Sequence, residues 1–160
     1  VWCTGWEAAR HPLFDWVPFK SARGTILMLT ADVRGERRVL HHGCWMVPLE
    51  DGRLRAGATY DSAFTDPNET KEKDLLTLRQ RLDMALKVPY QVLEKASAVR
   101  PIIGAQQTLI GRHPAHERVC FFNGLASKGA LRAPHYARLL VEHLVDGTAL
   151  PADGDLRSNI

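Results

Sequence analysis

Residues 44–60 read CWMVPLEDGRLRAGATY, and this stretch decides the fold that we expect for the chain. Two apolar runs, 44–49 and 54–60, flank Asp51-Gly52, a pair that supplies the positive φ angles needed in a tight turn between antiparallel strands. The stretch therefore predicts a β-hairpin within an antiparallel meander. Four further runs typical of short strands are residues 25–30, 38–42, 92–99 and 118–122.

Two helices are predicted beside these strands. Leucines recur at three- and four-residue intervals from Leu75 to Leu86, the period of an amphipathic helix, and Pro89 ends it. Its start is predicted at Asp66-Pro67, with the aspartate as N-cap, or at Thr70. A final helix is predicted from Pro134 to Gly147. Its apolar face is predicted to contain Ala137, Leu140, Val141, Leu144 and Val145. The predicted fold class is α+β, mainly an antiparallel sheet with two main helices.

The composition is that of an ordinary globular protein. With 160 residues, of which 45% are hydrophobic and 24% charged, the chain can bury a core, and disordered and fibrous classes are disfavoured. The net charge of +3 is not gathered into a basic stripe, so nucleic acid is not an expected partner. No apolar run approaches the roughly 20 residues of a membrane helix, so no membrane contact is expected.

Cysteines and histidines give no catalytic or metal-binding pattern. Cys3, Cys44 and Cys120 are odd in number and form no CxxC pair, which favours a reducing, cytoplasmic compartment and inert core thiols within the strands. The sequence lacks HExxH and GxSxG motifs. His113 and His116 flank a proline in a predicted polar turn, so we expect exposed side chains there, and we predict no metal site.

Two other stretches break local rules. Arg100 ends an apolar strand directly before Pro101, where a guanidinium forms either a surface ion pair or a clamp for a carboxylate. Residues 121–131, FFNGLASKGAL, lead from a strand through glycines into the last helix. Such a junction lets backbone approach a ligand, and helix N-terminal amides favour anionic or electron-rich groups. A tight strand-to-helix turn is the alternative interpretation.

The order and spacing of these motifs resemble the C-terminal half of flavin-dependent oxidoreductases of the D-amino-acid oxidase and glycine oxidase family. The resemblance covers nearly the whole chain and implies the substrate domain of a two-domain flavoprotein. Its five segments are Val1–Trp6, Lys20–Ile26, Cys44–Tyr60, Arg100–Pro114 and Asn123–Pro134. The implied domains are 1–20 as the end of the FAD-binding domain and crossover, 21–112 as the substrate-binding domain, and 113–160 as C-terminal strand, flavin-contacting loop and final helix.

The resemblance also implies roles for individual residues. Arg100 would bind the substrate carboxylate, and Trp45 and Tyr60 would line the pocket over the flavin ring, although strands favour aromatic residues on structural grounds alone. FAD is the implied cofactor, and the residues expected to lie against it are Thr4, Gly5, Ser127, Lys128, Gly129, Ala130 and Leu131. The implied reaction oxidises the C–N bond of an amino acid or related amine by hydride transfer to flavin, after which the imine hydrolyses.

The chain also differs from the family pattern. The family has Asp-Gly in the turn after the Arg-Pro pair, whereas this chain reads Gly104-Ala105-Gln106-Gln107, and it contains no GxGxxG fingerprint. We therefore expect a piece of a longer enzyme that is inactive when isolated. Two alternatives stay open: an oxidase module that modifies wobble uridines in transfer RNA, and a non-catalytic binding or dimerising domain with a homodimer as its assembly.

Overall fold

The polypeptide folds into two units, each with its own cluster of buried apolar side chains. The structure is a computed structural model that describes residues 1–33 and 35–159. The central unit is formed by the described residues between 22 and 99, and the terminal unit by residues 1–21 together with 100–159.

The central unit contains a five-stranded sheet in the order β2-β3-β4-β1-β5 and one α-helix. Its elements are β1 (Ala22–Ala31), β2 (Leu40–His42), β3 (Cys44–Pro48), β4 (Arg53–Gly57), α1 (Glu72–Ala85) and β5 (Tyr90–Arg100). The predicted hairpin is confirmed, since β3 and β4 pair antiparallel with Trp45 opposite Gly57. Strand β4 also pairs antiparallel with β1, so it lies inside the sheet. Residues 58–60, predicted as the end of β4, lie beyond it.

Helix α1 covers one face of this sheet. Leu27 and Leu29 of β1 point to that face, in agreement with the two-residue period of a strand, and are almost fully buried. Leu78 and Leu82 of α1 pack against them and have no exposed surface. Complete burial of such a side chain contributes about 2 kcal/mol, so the leucine repeat accounts for where the helix docks.

The terminal unit is built around a two-stranded antiparallel sheet and the second α-helix. Its elements are a 3-10 helix (Gly5–Arg10), β6 (Leu109–Arg112), β7 (Cys120–Asn123), a 3-10 turn (Ala126–Lys128), α2 (Gly129–Asp146) and a last 3-10 helix (Leu156–Asn159). Aromatic side chains fill its core, with the rings of Phe14 and Phe121 4.6 Å apart between centroids. Trp2 forms a parallel bridge to Phe121, which fixes the first residues beside β7. The α+β class is thereby confirmed.

The predicted start of α1 was wrong. The helix begins at Glu72 with Lys71 as N-cap, later than both predicted sites. Asp66 instead accepts a hydrogen bond from the Asn68 amide (2.8 Å) and closes a local turn. Glu69, which follows this turn, accepts a hydrogen bond from Arg23 of β1.

The predicted start of α2 was also wrong, whereas its end was right. The helix begins at Gly129, and Pro134 lies within it; since the first four amides have no helical partner, a proline at the sixth position removes only one bond near the end. Gly147 caps the helix with a φ of 73°, as predicted. Val141 and Val145 are exposed, so they do not belong to the buried face with Leu140.

One of the two histidine predictions was wrong, whereas both strand cysteines are buried as predicted. His113 is buried and not exposed as predicted, because its Nε2 donates to the Leu13 carbonyl (2.9 Å), whereas His116 is exposed. Cys44 and Cys120 are buried and unpaired, and burial raises the pKa of the Cys44 thiol. Within the described residues, His, Cys, Asp and Glu side chains form no metal-binding group. Neither α-helix has the length and hydropathy needed to cross a bilayer.

Candidate functional site

Asn123 links two segments of the terminal unit that the family resemblance predicts to be cofactor contacts. Its Nδ2 donates to the carbonyl of Gly5 (2.7 Å), and its Oδ1 accepts the amide of Gly124 (2.9 Å). The Asn123 side chain is buried, and both ends of its amide are used. The turn at Thr4-Gly5 and the loop after β7 are therefore held beside one another.

Gly124 allows this loop to approach the preceding turn closely. Its φ is +84°, a conformation that side chains other than glycine rarely adopt, and a Cβ there would overlap the carbonyl of Gln107 and lie 2.9 Å from Ile103 Cδ1. The Gly124 carbonyl accepts a hydrogen bond from the Thr108 hydroxyl (3.3 Å). Only glycine satisfies both the dihedral angle and the space at this position.

The loop delivers the N-terminus of α2 to the surface. Ser127, Lys128, Ala130 and Leu131 are exposed, and the first turn of the helix contains no acidic residue. The amides of the first helical turn lack helical partners and carry partial positive charge, to which Lys128 adds a cation. This end of α2 can accept an electron-rich or anionic group.

Arg100, the last residue of β5, is half-buried at the edge of the same neighbourhood. The carbonyl of Pro101, the next residue, accepts the amide of Ala126 (3.2 Å), so the Arg-Pro pair is joined directly to the loop. Ala126 has a φ of +51°, which bends the backbone into the 3-10 turn before α2. The terminal unit thus brings together the predicted carboxylate ligand and the predicted cofactor loop.

The turn that differs from the family pattern lies against this loop as well. Gln106 has a φ of +69°, a left-handed conformation without glycine, and its carbonyl accepts a hydrogen bond from Arg132 Nη1 (3.0 Å) in the first turns of α2. Gln107 Nε2 donates to Asn159 (3.1 Å) near the end of the chain. The substituted residues therefore have structural partners, which secure the turn without the family's Asp-Gly pair.

In the central unit, Trp45 lies on the face of the sheet opposite α1. Gly57 is paired with Trp45 on one side and Ile26 on the other. A Cβ at Gly57 would lie 2.7 Å from Ile26 Cγ2 and 2.9 Å from Trp45 Cζ2. The glycine therefore provides the space that the half-buried indole ring occupies beside the strand.

Tyr60 is exposed, at 65%, between two buried neighbours. Thr59 and Asp61 on either side are only 6% and 8% exposed, and both are attached to β1. The amide of Thr59 donates to the Thr25 carbonyl (3.2 Å), and Arg23 and Asp61 exchange two backbone hydrogen bonds (2.8 and 2.9 Å). Alternation along this short extended segment turns the Tyr60 ring outward.

The sequence reasoning missed the importance of Arg23. Its side chain is fully buried, and Nη2 contacts Asp61 (2.9 Å) and Asp74 of α1 (3.2 Å), while Nη1 contacts Glu69 (3.1 Å). Lys71 adds a second cation 3.0 Å from Asp61, and its hydrogen bond lowers the pKa of that carboxyl. An arginine between apolar residues gives no sequence signal for this role, because its acidic partners lie 38 to 51 residues away.

Comparisons with known proteins agree with this architecture. A family described as FAD dependent oxidoreductase matches residues 1–143. A glycine oxidase from Bacillus licheniformis is 29% identical over 131 residues, which make up 79% of this chain and 35% of that protein.

Solved structures of the same kind share the fold. Glycine oxidase from Geobacillus kaustophilus has a TM-score of 0.72 at 23% identity, covering 91% of this chain and 40% of that chain. Iminodiacetate oxidase from Chelativorans sp. BNC1 has a TM-score of 0.74 at 21% identity, covering 93% of this chain and 43% of that chain. L-proline dehydrogenase from P. horikoshii has a TM-score of 0.76 at 14% identity, covering 92% of this chain and 42% of that chain. The chain thus spans less than half the length of each of these proteins.

Proposed function

This chain belongs to the FAD-dependent oxidoreductases of the DAO family, and on that premise we propose that it takes part in oxidising the C–N bond of an amino acid or related amine. The observation that carries the proposal is the hydrogen bond from the Ala126 amide to the Pro101 carbonyl. It joins the backbone next to Arg100 to the loop that leads into α2. A carboxylate ligand and a cofactor-binding loop in one unit are what such a reaction requires.

The residues of the terminal unit fit the flavin ring of FAD, whose carbonyl oxygens and ring nitrogens accept hydrogen bonds. The N-terminal end of α2 carries partial positive charge and has no acidic residue in its first turn, and Gly5 has no atom within 4 Å of the place where a Cβ would be. The residues that would hold the ring are Thr4, Gly5, Ser127, Lys128, Gly129, Ala130 and Leu131. Bound FAD would accept the hydride of a C–H bond, which carries both electrons of that bond, and no protein side chain provides such an acceptor.

Arg100 is proposed to bind the substrate carboxylate. A guanidinium offers two parallel N–H donors to one carboxylate, which fixes both the position and the rotation of an amino acid. A lysine at this position would attract the carboxylate by its charge but would not fix the orientation of the amino acid. Because positioning of the reacting carbon accounts for much of the rate in such reactions, the fork of Arg100 affects catalysis as well as binding.

Trp45 and Tyr60 are proposed to line the substrate pocket over the flavin ring. The indole of Trp45 lies across Gly57, and the ring of Tyr60 is turned outward by its buried neighbours. Large rings at such positions exclude water from the amine and restrict its orientation.

The test uses the full-length holoenzyme and anaerobic flavin bleaching by a panel of glycine, sarcosine, iminodiacetate and D- and L-amino acids. We expect at least one of these amines to reduce the flavin. Arg100→Ala should raise the KM for that amine about a hundredfold, because it removes a charge-assisted bidentate contact, while flavin content stays unchanged.

Arg112 provides the matched control. It ends β6 in the same unit, is half-buried, and its Nη1 donates to the Glu117 carbonyl (2.9 Å). Arg112→Ala should leave KM unchanged. The proposal is wrong if no amine of the panel bleaches the flavin, or if undermodified transfer RNA is turned over in place of free amines.

A further inference from the structure

The segment that carries Tyr60 is anchored on both sides by inward-pointing residues. Beyond Gly57 the chain leaves β3 and follows the start of β1, where Thr59 pairs with Thr25 and Asp61 with Arg23. The Thr59 hydroxyl also accepts the Thr25 amide (2.9 Å). Tyr60 lies between these two anchored residues with its ring exposed.

A slip of one residue would exchange these orientations. Because side chains alternate along an extended segment, moving the segment by one position would bury Tyr60 and expose Asp61. Backbone hydrogen bonds alone do not prevent such a slip, since they can re-form in the new register. An interaction of the Asp61 side chain, in addition to the hydrogen bond of the Thr59 hydroxyl, therefore favours one register.

Arg23 supplies that interaction. Its guanidinium is fully buried, and the side chains of Asp61 and Asp74 that it contacts are 7% and 8% exposed. The same guanidinium contacts Glu69 and the Asp66 carbonyl (3.2 Å), so one cation joins four acceptors of the loop and α1. Its Nε is buried without a hydrogen-bond partner, which is unfavourable, whereas both Nη atoms of the same guanidinium are bonded.

We infer that Arg23 is a positioning residue: by its ion pair with Asp61 it sets the register of residues 59–61 and thereby the outward orientation of Tyr60 toward substrate. The inference rests on the proposed function for the role of Tyr60. The anchoring of residues 59–61 by Arg23 is independent of that function and can be measured without turnover.

The first measurement is hydrogen exchange of the segment in Arg23→Lys holoenzyme. A lysine can meet one carboxylate but cannot serve Asp61, Asp74 and Glu69 at once. We expect the amides of Thr59 and Asp61 to exchange about tenfold faster or more, while the amides of Leu27 and Leu29 in the sheet keep their protection. Arg53→Lys is the control, because Arg53 pairs with Asp51 in the same sheet but at an exposed turn.

The second measurement is a double-mutant cycle on kcat/KM with Tyr60→Ala. Arg23→Lys alone should lower kcat/KM about tenfold with unchanged flavin content, and it should cause no further loss once Tyr60 is absent. If Arg23→Lys does not fold, Asp61→Asn removes the same ion pair from the other side and should give the same pattern. Unchanged exchange at residues 59–61, or losses that multiply in the cycle, would overturn the inference.

The two measurements separate this inference from the proposed function. If no amine reduces the flavin, the proposed function fails, and faster exchange in Arg23→Lys still decides whether Arg23 anchors the segment. If amines are oxidised and exchange is unchanged, Arg23 does not position Tyr60, and the proposed function is untouched.

Discussion

The loop after β7 and the segment around Tyr60 are both held in unusual backbone paths, but by different chemistry. In the terminal unit the loop depends on neutral partners: the amide side chain of Asn123, the Thr108 hydroxyl and the close approach at Gly124. In the central unit the segment depends on the buried ion pairs of Arg23. Neutral hydrogen bonds depend on shape and do not titrate, whereas a buried ion pair responds to pH and leaves an unpaired charge when broken.

The largest effect is expected from Gly124→Ala. The new Cβ would require a left-handed alanine and would overlap the Gln107 carbonyl, so we expect a loss of about 3 kcal/mol in unfolding free energy. The variant should also lose flavin, because the loop leads directly into α2. Thermal unfolding and flavin content of the purified holoenzyme measure both effects.

Gly147→Ala is the control for that substitution. Gly147 also has a positive φ, of +73°, but no atom lies within 4 Å of its Cβ position. It should therefore cost only about 1 kcal/mol, the backbone part of the effect, and retain flavin. Equal losses in the two variants would show that the close approach at Gly124 contributes nothing.

A smaller effect is expected from Gly57→Ala in the central unit. Its φ lies outside the positive range, so only packing opposes a Cβ, which would press on Ile26 Cγ2 and Trp45 Cζ2. We expect a loss of about 2 kcal/mol, a shifted tryptophan fluorescence spectrum and a raised KM with normal flavin content. A reduced flavin content with normal KM would contradict the assignment of Trp45 to the substrate side.

The smallest effect that we expect is a difference between the two regions in how their hydrogen exchange responds to low pH. The hydrogen bond from Lys71 holds the pKa of Asp61 below its ordinary value of 3.8. A group whose pKa is lowered by folding stabilises the protein above its ordinary pKa and loses that contribution as the pH falls below it. Between pH 5 and pH 3, hydrogen exchange corrected for its intrinsic rate should therefore accelerate in residues 59–61 more than in residues 123–126. Asp61→Asn should remove the difference, and equal acceleration in both segments would contradict it.

Periodic patterns in the sequence predicted the sheet and the buried face of α1 because they report local geometry. The Asp51-Gly52 turn fixed the hairpin, and the leucines of α1 fixed the side that faces the sheet. Helix starts were predicted less well, because Asp66 and Glu69 have the composition of a cap but are bound by Arg23, 43 and 46 residues earlier in the chain. Strand β6 was missed as a strand; it has four residues, and Gly111 within it has a φ of +129°.

The candidate site divides in the same way. The family resemblance identified Arg100, Trp45, Tyr60 and the loop residues from local motifs, and their roles stay predictions. Asn123 belongs to one of these motifs, but nothing in its neighbours indicates that its side chain reaches Gly5, 118 residues away.

By itself the sequence determined the α+β class, the hairpin, the leucine face of α1 and the family, because each is written in residues close together in the chain. Only the tertiary structure decided that Asn123 joins Gly5 to the cofactor loop, that Gly124 must be a glycine and that Arg23 is buried among three carboxylates. These are contacts between distant residues, and their stability depends on burial and exact distance, which local spacing does not encode.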